Sequence, residues 1–397
     1  MTVAYLVSDF PTLSETFIAN EIHRLRQLGF ALSVYSFSRP PAADVDRLED
    51  VSRRLLPDVE YIGAAEAVWA AMTSPLAVLR AWRENSKLTQ QSTLKANPLL
   101  RLLRAAAVAR RMRQTGIDHL HAHWPYASQI AHLVRAMTGN TYSVSIHAHE
   151  VAHDGGHFQI IFPALAFAAF CNRGAMHYLL PQLALEARQR AHLVHHGVDL
   201  EGFAPLPMPA ARAPLSIVSA GRLTRTKGFD RLIRACSMAS RQGIELRLTI
   251  LGRGALEEEL KALSAELGMK DLLSLPGWVS QEELRTHLGA AHIFALLADT
   301  SFHDGLPNVV LEAMACARSV VLSPLPAVSE AVTDGVEGFV LKHAADVDGF
   351  VAALRRYQRE PELLKTMGAA ARRRVETDHD AARQIEKMAD LLRSQAA

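Results

Sequence analysis

His303-Asp304-Gly305-Leu306-Pro307-Asn308-Val309-Val310-Leu311-Glu312-Ala313-Met314-Ala315 sets two carboxylates eight positions apart. Asp304 stands ahead of a Gly-x-Pro turn, and Glu312 lies within an apolar helical run. Proline suits the first turn of a helix, where its missing N–H is not needed. The spacing therefore places Asp304 in the loop at a helix mouth and Glu312 about one and a half turns inside. Unpaired N–H groups in the first turn, together with the helix dipole, favour a phosphate there. A carboxylate on each side of such a site suits the hydroxyls of a sugar and of a ribose, which is the pattern of a nucleotide-sugar binder.

Outward from this stretch, the second half alternates strand and helix patterns: strands at Leu215–Ala220, Leu246–Leu251, Ile293–Leu297 and Val320–Leu322, and helices at Phe229–Ser240, Leu256–Leu267 and Val309–Ala317. The first half repeats the scheme, with strands expected at Val3–Ser8, Leu32–Phe37, His119–His123, Tyr142–His147, Met176–Leu180 and Leu193–His195. A helix is expected over Glu15–Leu28, where Thr12-Leu13-Ser14-Glu15 reads as a capping box. Strands alternating with helices indicate α/β architecture with parallel sheets. Pro205, Pro207, Pro209 and Pro214 mark a linker. The expected organisation is a first Rossmann-like domain over 1–204, a proline-rich linker over 205–214, a second such domain over 215–379, and a charged helix over 380–397 returning towards the first domain. Two doubly wound domains facing across a cleft would offer their strand carboxyl ends to two substrates.

Length and composition agree with two soluble domains. The chain has 397 residues, 49% hydrophobic and 21% charged. A net charge of +2 gives no pull towards nucleic acid, and none is expected as a partner. Cys171, Cys236 and Cys316 lie far apart without metal or disulfide spacing, which suits a reducing cytosol. The N-terminal residues read as a first strand rather than a signal peptide. The longest apolar stretch, 158–171, is broken by Pro163 and falls short of the ~20 residues that span a bilayer.

Between Arg80 and Arg113 nine basic residues face one acid, Glu84, with Trp82, Leu99, Leu100, Leu102 and Leu103 interleaved. Such a segment is either an amphipathic basic surface for an anionic membrane or a solvated helix packed by its leucines.

Three further motifs bear on chemistry. In Ser219-Ala220-Gly221-Arg222-Leu223-Thr224-Arg225-Thr226-Lys227-Gly228-Phe229 a strand runs into a glycine turn, and Arg222 and Lys227 flank the start of a helix. A planar fork and a point charge there suit a diphosphate. Gly252-Arg253-Gly254-Ala255-Leu256-Glu257 imitates a dinucleotide fingerprint, but Glu257 stands where its last glycine belongs, which argues against a nicotinamide oxidoreductase. His149-Glu150-Val151-Ala152-His153 matches the HExxH of zinc proteases. That motif works only on a helix, and a strand before it and Asp154-Gly155-Gly156 after it leave about one turn. No metal is therefore expected. His147 and His123, each ending a strand, and Ser14 and Glu15 after the first strand occupy positions where an α/β domain meets its substrate.

These segments, from Phe10-Pro11-Thr12-Leu13-Ser14-Glu15 through His121-Ala122-His123-Trp124, Ile146-His147, His196-Gly197-Val198-Asp199 and Ala220-Gly221-Arg222 to Asp304–Ala315, resemble glycosyltransferase family four, the retaining enzymes of GT-B fold. The opening segment is most similar to the branch that builds exopolysaccharides such as colanic acid and amylovoran. The resemblance implies a metal-independent hexosyltransferase using a UDP- or GDP-linked sugar and no cofactor. Arg222 and Lys227 would neutralise the donor diphosphate, Asp304 would hold a sugar hydroxyl and Glu312 the ribose, and His147 would meet the donor sugar. Gly221, Gly305, Leu306, Pro307 and Asn308 would complete the donor site, and Ser14, Glu15 and His123 would serve the acceptor. It also implies a polyprenyl-diphosphate-linked acceptor, and hence a cytoplasmic protein peripheral to the inner face of the plasma membrane. The chain departs from the pattern at three places. Asp304 stands where the family has Glu, Ala315-Cys316-Ala317-Arg318-Ser319 replaces a small-Gly-x-Pro run, and Pro326-Ala327 replaces a glycine pair. A non-catalytic nucleotide-sugar binder on the same fold is the alternative from another class.

Overall fold

Buried, β-branched runs form two parallel sheets in the computed structural model, which describes residues 2–395 apart from 14, 148–150, 152–155, 211–213 and 300–304. The first sheet contains β1 (Thr2–Asp9), β2 (Ala31–Ser38), β3 (Val59–Tyr61), β4 (His119–His123), β5 (Thr141–Ile146), β6 (Ala168–Phe170) and β7 (Ala191–Leu193), in the order β3-β2-β1-β4-β5-β6-β7. The second contains β8 (Leu215–Ala220), β9 (Leu246–Leu251), β10 (Leu273–Gly277), β11 (Ile293–Leu296), β12 (Ser319–Leu322) and β13 (Gly338–Val340), in the order β10-β9-β8-β11-β12-β13. Each is a doubly wound Rossmann-like sheet. The strand order reverses between β1 and β4 in one and between β8 and β11 in the other, which is where such sheets receive ligands.

The chain divides into one unit of residues 1–195 with 384–397 and a second of residues 196–383. The expected division after 204 thus falls instead after His195. The proline-rich segment is not a free linker, because part of it is packed into the second unit. Phe203 is buried in that unit's core, with Leu206 and Met208 against it. Arg318, wholly buried, donates to the carbonyls of Leu206 (2.7 Å) and Pro207 (2.8 Å). A buried guanidinium must have acceptors, and these unpaired carbonyls supply them. Across the chain reversal, Val198 N–H donates to the His379 carbonyl (2.8 Å) and Ala381 N–H to that of Val198 (3.1 Å). In the terminal helix Ala381–Arg393, the residues Ile385, Met388, Ala389 and Leu392 share a core with Val3, Tyr5, Ile18 and Ile22 of the first unit.

Local expectations differ in several places, β3, β10 and β13 being strands that were not expected. Met176–Leu180, expected as a strand, lies mostly in the helix Arg173–Leu179, whose N-terminus is capped by the Asn172 side chain accepting from Ala175 N–H (2.7 Å). The strand there is β6, just upstream, and the strand expected at Leu193–His195 is β7, ending at Leu193. The first helix begins at Thr16 with Glu15 at its N-cap and no side-chain cap, so no capping box is seen on Glu15; Ser14 lies outside the described residues. Ala317, at the resemblance's glycine position, adopts a left-handed φ of 58°. That conformation costs an alanine about 1 kcal/mol relative to glycine.

Candidate functional site

In the second unit, the turn after β8 depends on glycines. Gly221 N–H donates to the Leu251 carbonyl (2.9 Å), and Gly252, at φ 136°, turns back so closely that a Cβ there would strike the Gly221 carbonyl. This accounts for the false dinucleotide fingerprint: Gly252 and Gly254 let the loops after β8 and β9 pack backbone to backbone. Thr224 to Lys227 then form a tight turn. Gly228 follows at φ 64°, where any Cβ would strike the Leu297 carbonyl, and the helix Phe229–Arg241 begins. Asp299 N–H donates to the Thr226 carbonyl (2.8 Å), and Arg231 reaches Asp299 Oδ2 (2.8 Å). The Lys227 turn is thereby pinned to the end of neighbouring β11. Lys227 is half-buried; Arg222 is exposed and has no ion-pair or hydrogen-bond partner for its side chain among the described residues.

Beyond β11 the helix Asn308–Ala315 carries Glu312, half-buried, while Val310, Leu311, Ala313, Met314 and Ala315 face the core. Pro307 is the N-cap rather than the first helical residue, in an extended conformation (ψ 136°), and no side chain caps the helix. Gly305, Leu306, Pro307 and Asn308 are half-buried at its mouth. Asp304 lies outside the described residues, as do His149, Glu150 and His153 of the HExxH pattern.

The first unit's polar residues are arranged differently. Alternation puts His119, His121 and His123 of β4 on one face, in register with Thr141, Ser143 and Ser145 of β5. His119 contacts Thr141 Oγ1 (2.8 Å) and Ser143 Oγ (2.7 Å), and His121 contacts Ser143 Oγ (2.7 Å) and Ser145 Oγ (3.0 Å). Burial pushes the His119 imidazole down to about 4 and that of His121 well below the ordinary value, so both are neutral. The ladder ends at Glu21, whose Oε1 accepts from the Tyr5 hydroxyl (2.8 Å) and lies 3.3 Å from His123 Nε2. Neither ring nitrogen of buried His123 makes a hydrogen bond among the described residues.

At the carboxyl ends of β1, β4 and β5, His147 lies beside His123 (ring centroids 5.7 Å), Trp124 (4.4 Å) and Phe17 (5.2 Å). Trp124 holds a φ of 75°, rare for a large side chain and a mark of functional sites. Glu15 joins them electrostatically: burial raises its carboxyl pKa, with Trp124 and His123 acting the other way. His123, His147 and Glu15 are thus brought together, while Ser14 lies outside the described residues. Tyr5, Glu21, Phe17 and Trp124 were not singled out from sequence, although the matched His-x-His-x-His and Thr-x-Ser-x-Ser strands signal a polar face. Glu21, His121 and His123 bring three potential metal-ligand atoms within 4.8 Å of one another. Tyr5 on Glu21 and hydroxyls on both His121 nitrogens account for that grouping as a hydrogen-bond network.

The basic segment 80–113 also separates. Arg101 is buried and donates to Asn85 Oδ1 (2.8 Å), Gln129 Oε1 (2.6 Å) and Thr89 Oγ1 (2.7 Å); Arg111 pairs with Glu60 and Glu66. The helix Pro98–Thr115 is therefore largely a packed one, with Leu102 buried. The exposed apolar surface lies upstream, on Ala64–Met72 and Pro75–Gln91: Trp69, Met72, Leu76, Leu79 and Trp82, the leucines on one stripe with exposed Arg80 and Arg83. Arg110 covers the Trp69 ring at 4.0 Å.

Two doubly wound Rossmann-like units, each with its switch point at a strand carboxyl end, give the chain the GT-B architecture. Residues 210–374 match the profile of the glycosyl transferases group 1. Over 99% of this chain and the whole of the relative, the sequence is 26% identical to the amylovoran biosynthesis glycosyltransferase AmsK of Erwinia amylovora. It is 33% identical to a GDP-mannose-dependent alpha-(1-6)-phosphatidylinositol monomannoside mannosyltransferase of Mycolicibacterium smegmatis, over 44% of this chain and 49% of that one. The fold is similar to that of Anabaena Alr3699/HepE, solved in complex with UDP, with a TM-score of 0.74, 14% identity, and coverage of 99% and 100% of the two chains.

Proposed function

We propose that this protein transfers a sugar, with retention and without a metal, from a nucleoside-diphosphate sugar to a lipid-linked saccharide in the assembly of an exopolysaccharide or other surface polysaccharide. The observation that carries the reading is the exposed Arg222, without an ion-pair or hydrogen-bond partner for its side chain among the described residues, beside Lys227 on a turn tied to the end of β11, in a unit that matches the glycosyl transferases group 1 profile. Full-length similarity to an amylovoran transferase supports the polysaccharide context.

In the proposed reaction the bond between the anomeric carbon and the donor phosphate breaks, and the nucleoside diphosphate leaves. The acceptor hydroxyl oxygen bonds to the same face of that carbon, and its proton passes to the departing phosphate. Arg222, Lys227 and the first-turn N–H groups of the helix Asn308–Ala315 stabilise the growing negative charge. Glu312 takes the ribose, and Asp304 a donor-sugar hydroxyl. Gly221, Gly305, Leu306, Pro307 and Asn308 shape the donor site by close backbone approach. His147 is assigned to the reacting centre, and Ser14, Glu15 and His123 to the acceptor.

The test is a panel of UDP- and GDP-sugars, read by thermal shift and by sugar release or transfer. A matched donor should raise Tm in wild type, and Glu312→Ala should raise its KM. No stabilisation by any donor, or stabilisation without turnover, would overturn the enzymatic reading.

We propose further that the protein works at an anionic membrane. No helix among the described residues is long and apolar enough to cross one. The exposed stripe of Leu76, Leu79, Arg80 and Arg83, flanked by Trp69 and Trp82, instead combines apolar and cationic groups on one surface, as interfacial helices do. Sedimentation with phosphatidylglycerol vesicles at low salt should carry the protein down, and Leu76→Ser with Leu79→Ser should weaken binding about fivefold. A protein that stays in the supernatant would refute this placement.

A further inference from the structure

A cavity of about 270 Å³ opens at the carboxyl ends of β1 and β2 in the first unit, where Ser8, Asp9, Ser38, Lys95, Arg104 and Tyr126 meet. Its floor is set by strand register, since Asp9 pairs with Ser38 and the Ser36 hydroxyl lies 3.2 Å from the carbonyls of both Ser8 and Ser38. Its cations are held without acids. Arg104 lies over the Phe37 ring at 4.4 Å and donates to the Tyr126 hydroxyl (3.2 Å). Among the described residues neither Arg104 nor Lys95 forms an ion pair, and Asp9 forms none either.

Two cations and one carboxylate that do not neutralise one another leave the cavity with a net positive charge and hydroxyl acceptors beside it. That combination fits a ligand carrying phosphate and sugar hydroxyls together. A guanidinium fixed by aromatic faces is pre-organised for phosphate oxygens, and the exposed ammonium adds a mobile charge. At about 270 Å³ the cavity has room for a phosphate and a sugar side by side.

We propose that this cavity binds the phosphate-linked sugar at the lipid end of the acceptor, with Arg104 and Lys95 on the phosphates and Asp9 and Ser38 on the sugar hydroxyls. The inference rests on the glycosyl-transfer reading and names the part of the acceptor that the first unit recognises. None of these residues was among the acceptor positions inferred from sequence.

The test is calorimetric titration of the full chain with geranyl diphosphate. Wild type should bind; Arg104→Gln and Lys95→Gln should each weaken binding about tenfold, while Asp9→Asn, which removes the one acid among the described lining residues, should tighten it about threefold. Arg222→Ala should leave it unchanged. Lys95 is exposed, so its variant reports binding even if Arg104→Gln folds poorly. No binding by wild type, indifference to Lys95→Gln, indifference to Asp9→Asn, or loss in Arg222→Ala alone would each overturn the assignment, the last by placing the diphosphate in the donor site. The same variants titrated with UDP and GDP keep the two readings apart. A wild type that binds geranyl diphosphate but no nucleotide would remove the glycosyl-transfer reading and leave the cavity standing.

Discussion

The two units share a strand order and a switch point, yet they keep their polar groups in opposite places. In the second unit the candidate residues sit on loops: Arg222 is exposed and has no ion-pair or hydrogen-bond partner for its side chain among the described residues, Lys227 rides a turn bounded by Gly228, and the surrounding core is apolar. In the first unit, polar side chains run inside the sheet, from His119 through Ser143 and His121 to Glu21 and His123. An exposed loop cation such as Arg222 costs little to keep, because water solvates it until a charged ligand arrives. A buried ladder bonded from strand to strand, as His119 and His121 are to the β5 hydroxyls, stiffens the strands it joins.

Three experiments would break or sharpen this contrast. Arg101→Met should have the largest effect, because it strands the acceptors of Asn85, Gln129 and Thr89 inside the first unit. We expect a loss of about 4 kcal/mol in urea unfolding of that unit, and a change below ~1 kcal/mol would show the network to be slack. Arg222→Ala should behave oppositely, lowering turnover about 100-fold, or ~2.7 kcal/mol, with stability unchanged. Near-normal turnover would remove Arg222 from the site.

The third is the pH response of the ladder. His119 is neutral when folded, with its pKa down at about 4, whereas the unfolded imidazole takes a proton near 6.5. The unfolded state therefore binds more protons between those values, so stability is complete above about pH 6.5 and falls as pH drops towards 4. His119 alone should cost about 2 kcal/mol between pH 6.5 and 5, read as the change in urea midpoint. His119→Asn should flatten that slope, and an unaltered slope would show that the histidine titrates normally.

Legibility followed the same divide. The turns after β8 and β9 were readable because glycines, prolines and charges on loops act locally: Gly228 and Gly252 are needed for their own φ values and close approaches. The long strands β1, β2, β4, β5, β8 and β9 were readable from periodicity, since a strand buried on both faces needs a continuous apolar or matched polar run. Three-residue strands such as β3, β6 and β13 were not, because their pattern is too short to separate from a helical turn. The segment Met176–Leu180 looked extended from composition, but Asn172 at its helix start decided otherwise. The basic segment was misleading for a different reason. Sequence counts charges alike, whereas Arg101 is taken up by buried Asn85 and Gln129 and Arg111 by half-buried Glu60 and Glu66, while Arg80 and Arg83 lie on the exposed stripe.

By itself the sequence determined two α/β units, the order of their long strands along the chain, and the loops that carry Arg222 and Lys227. These depend on periodicity and on residues whose conformational limits are intrinsic. The tertiary structure decided which residues become partners: Arg318 with the carbonyls of a proline segment more than a hundred positions away, Glu21 with Tyr5 and His123, and Arg104 with Phe37 and Tyr126. Such pairings arise because a buried polar group must be satisfied by whatever packing brings within reach, and no local pattern announces what that will be.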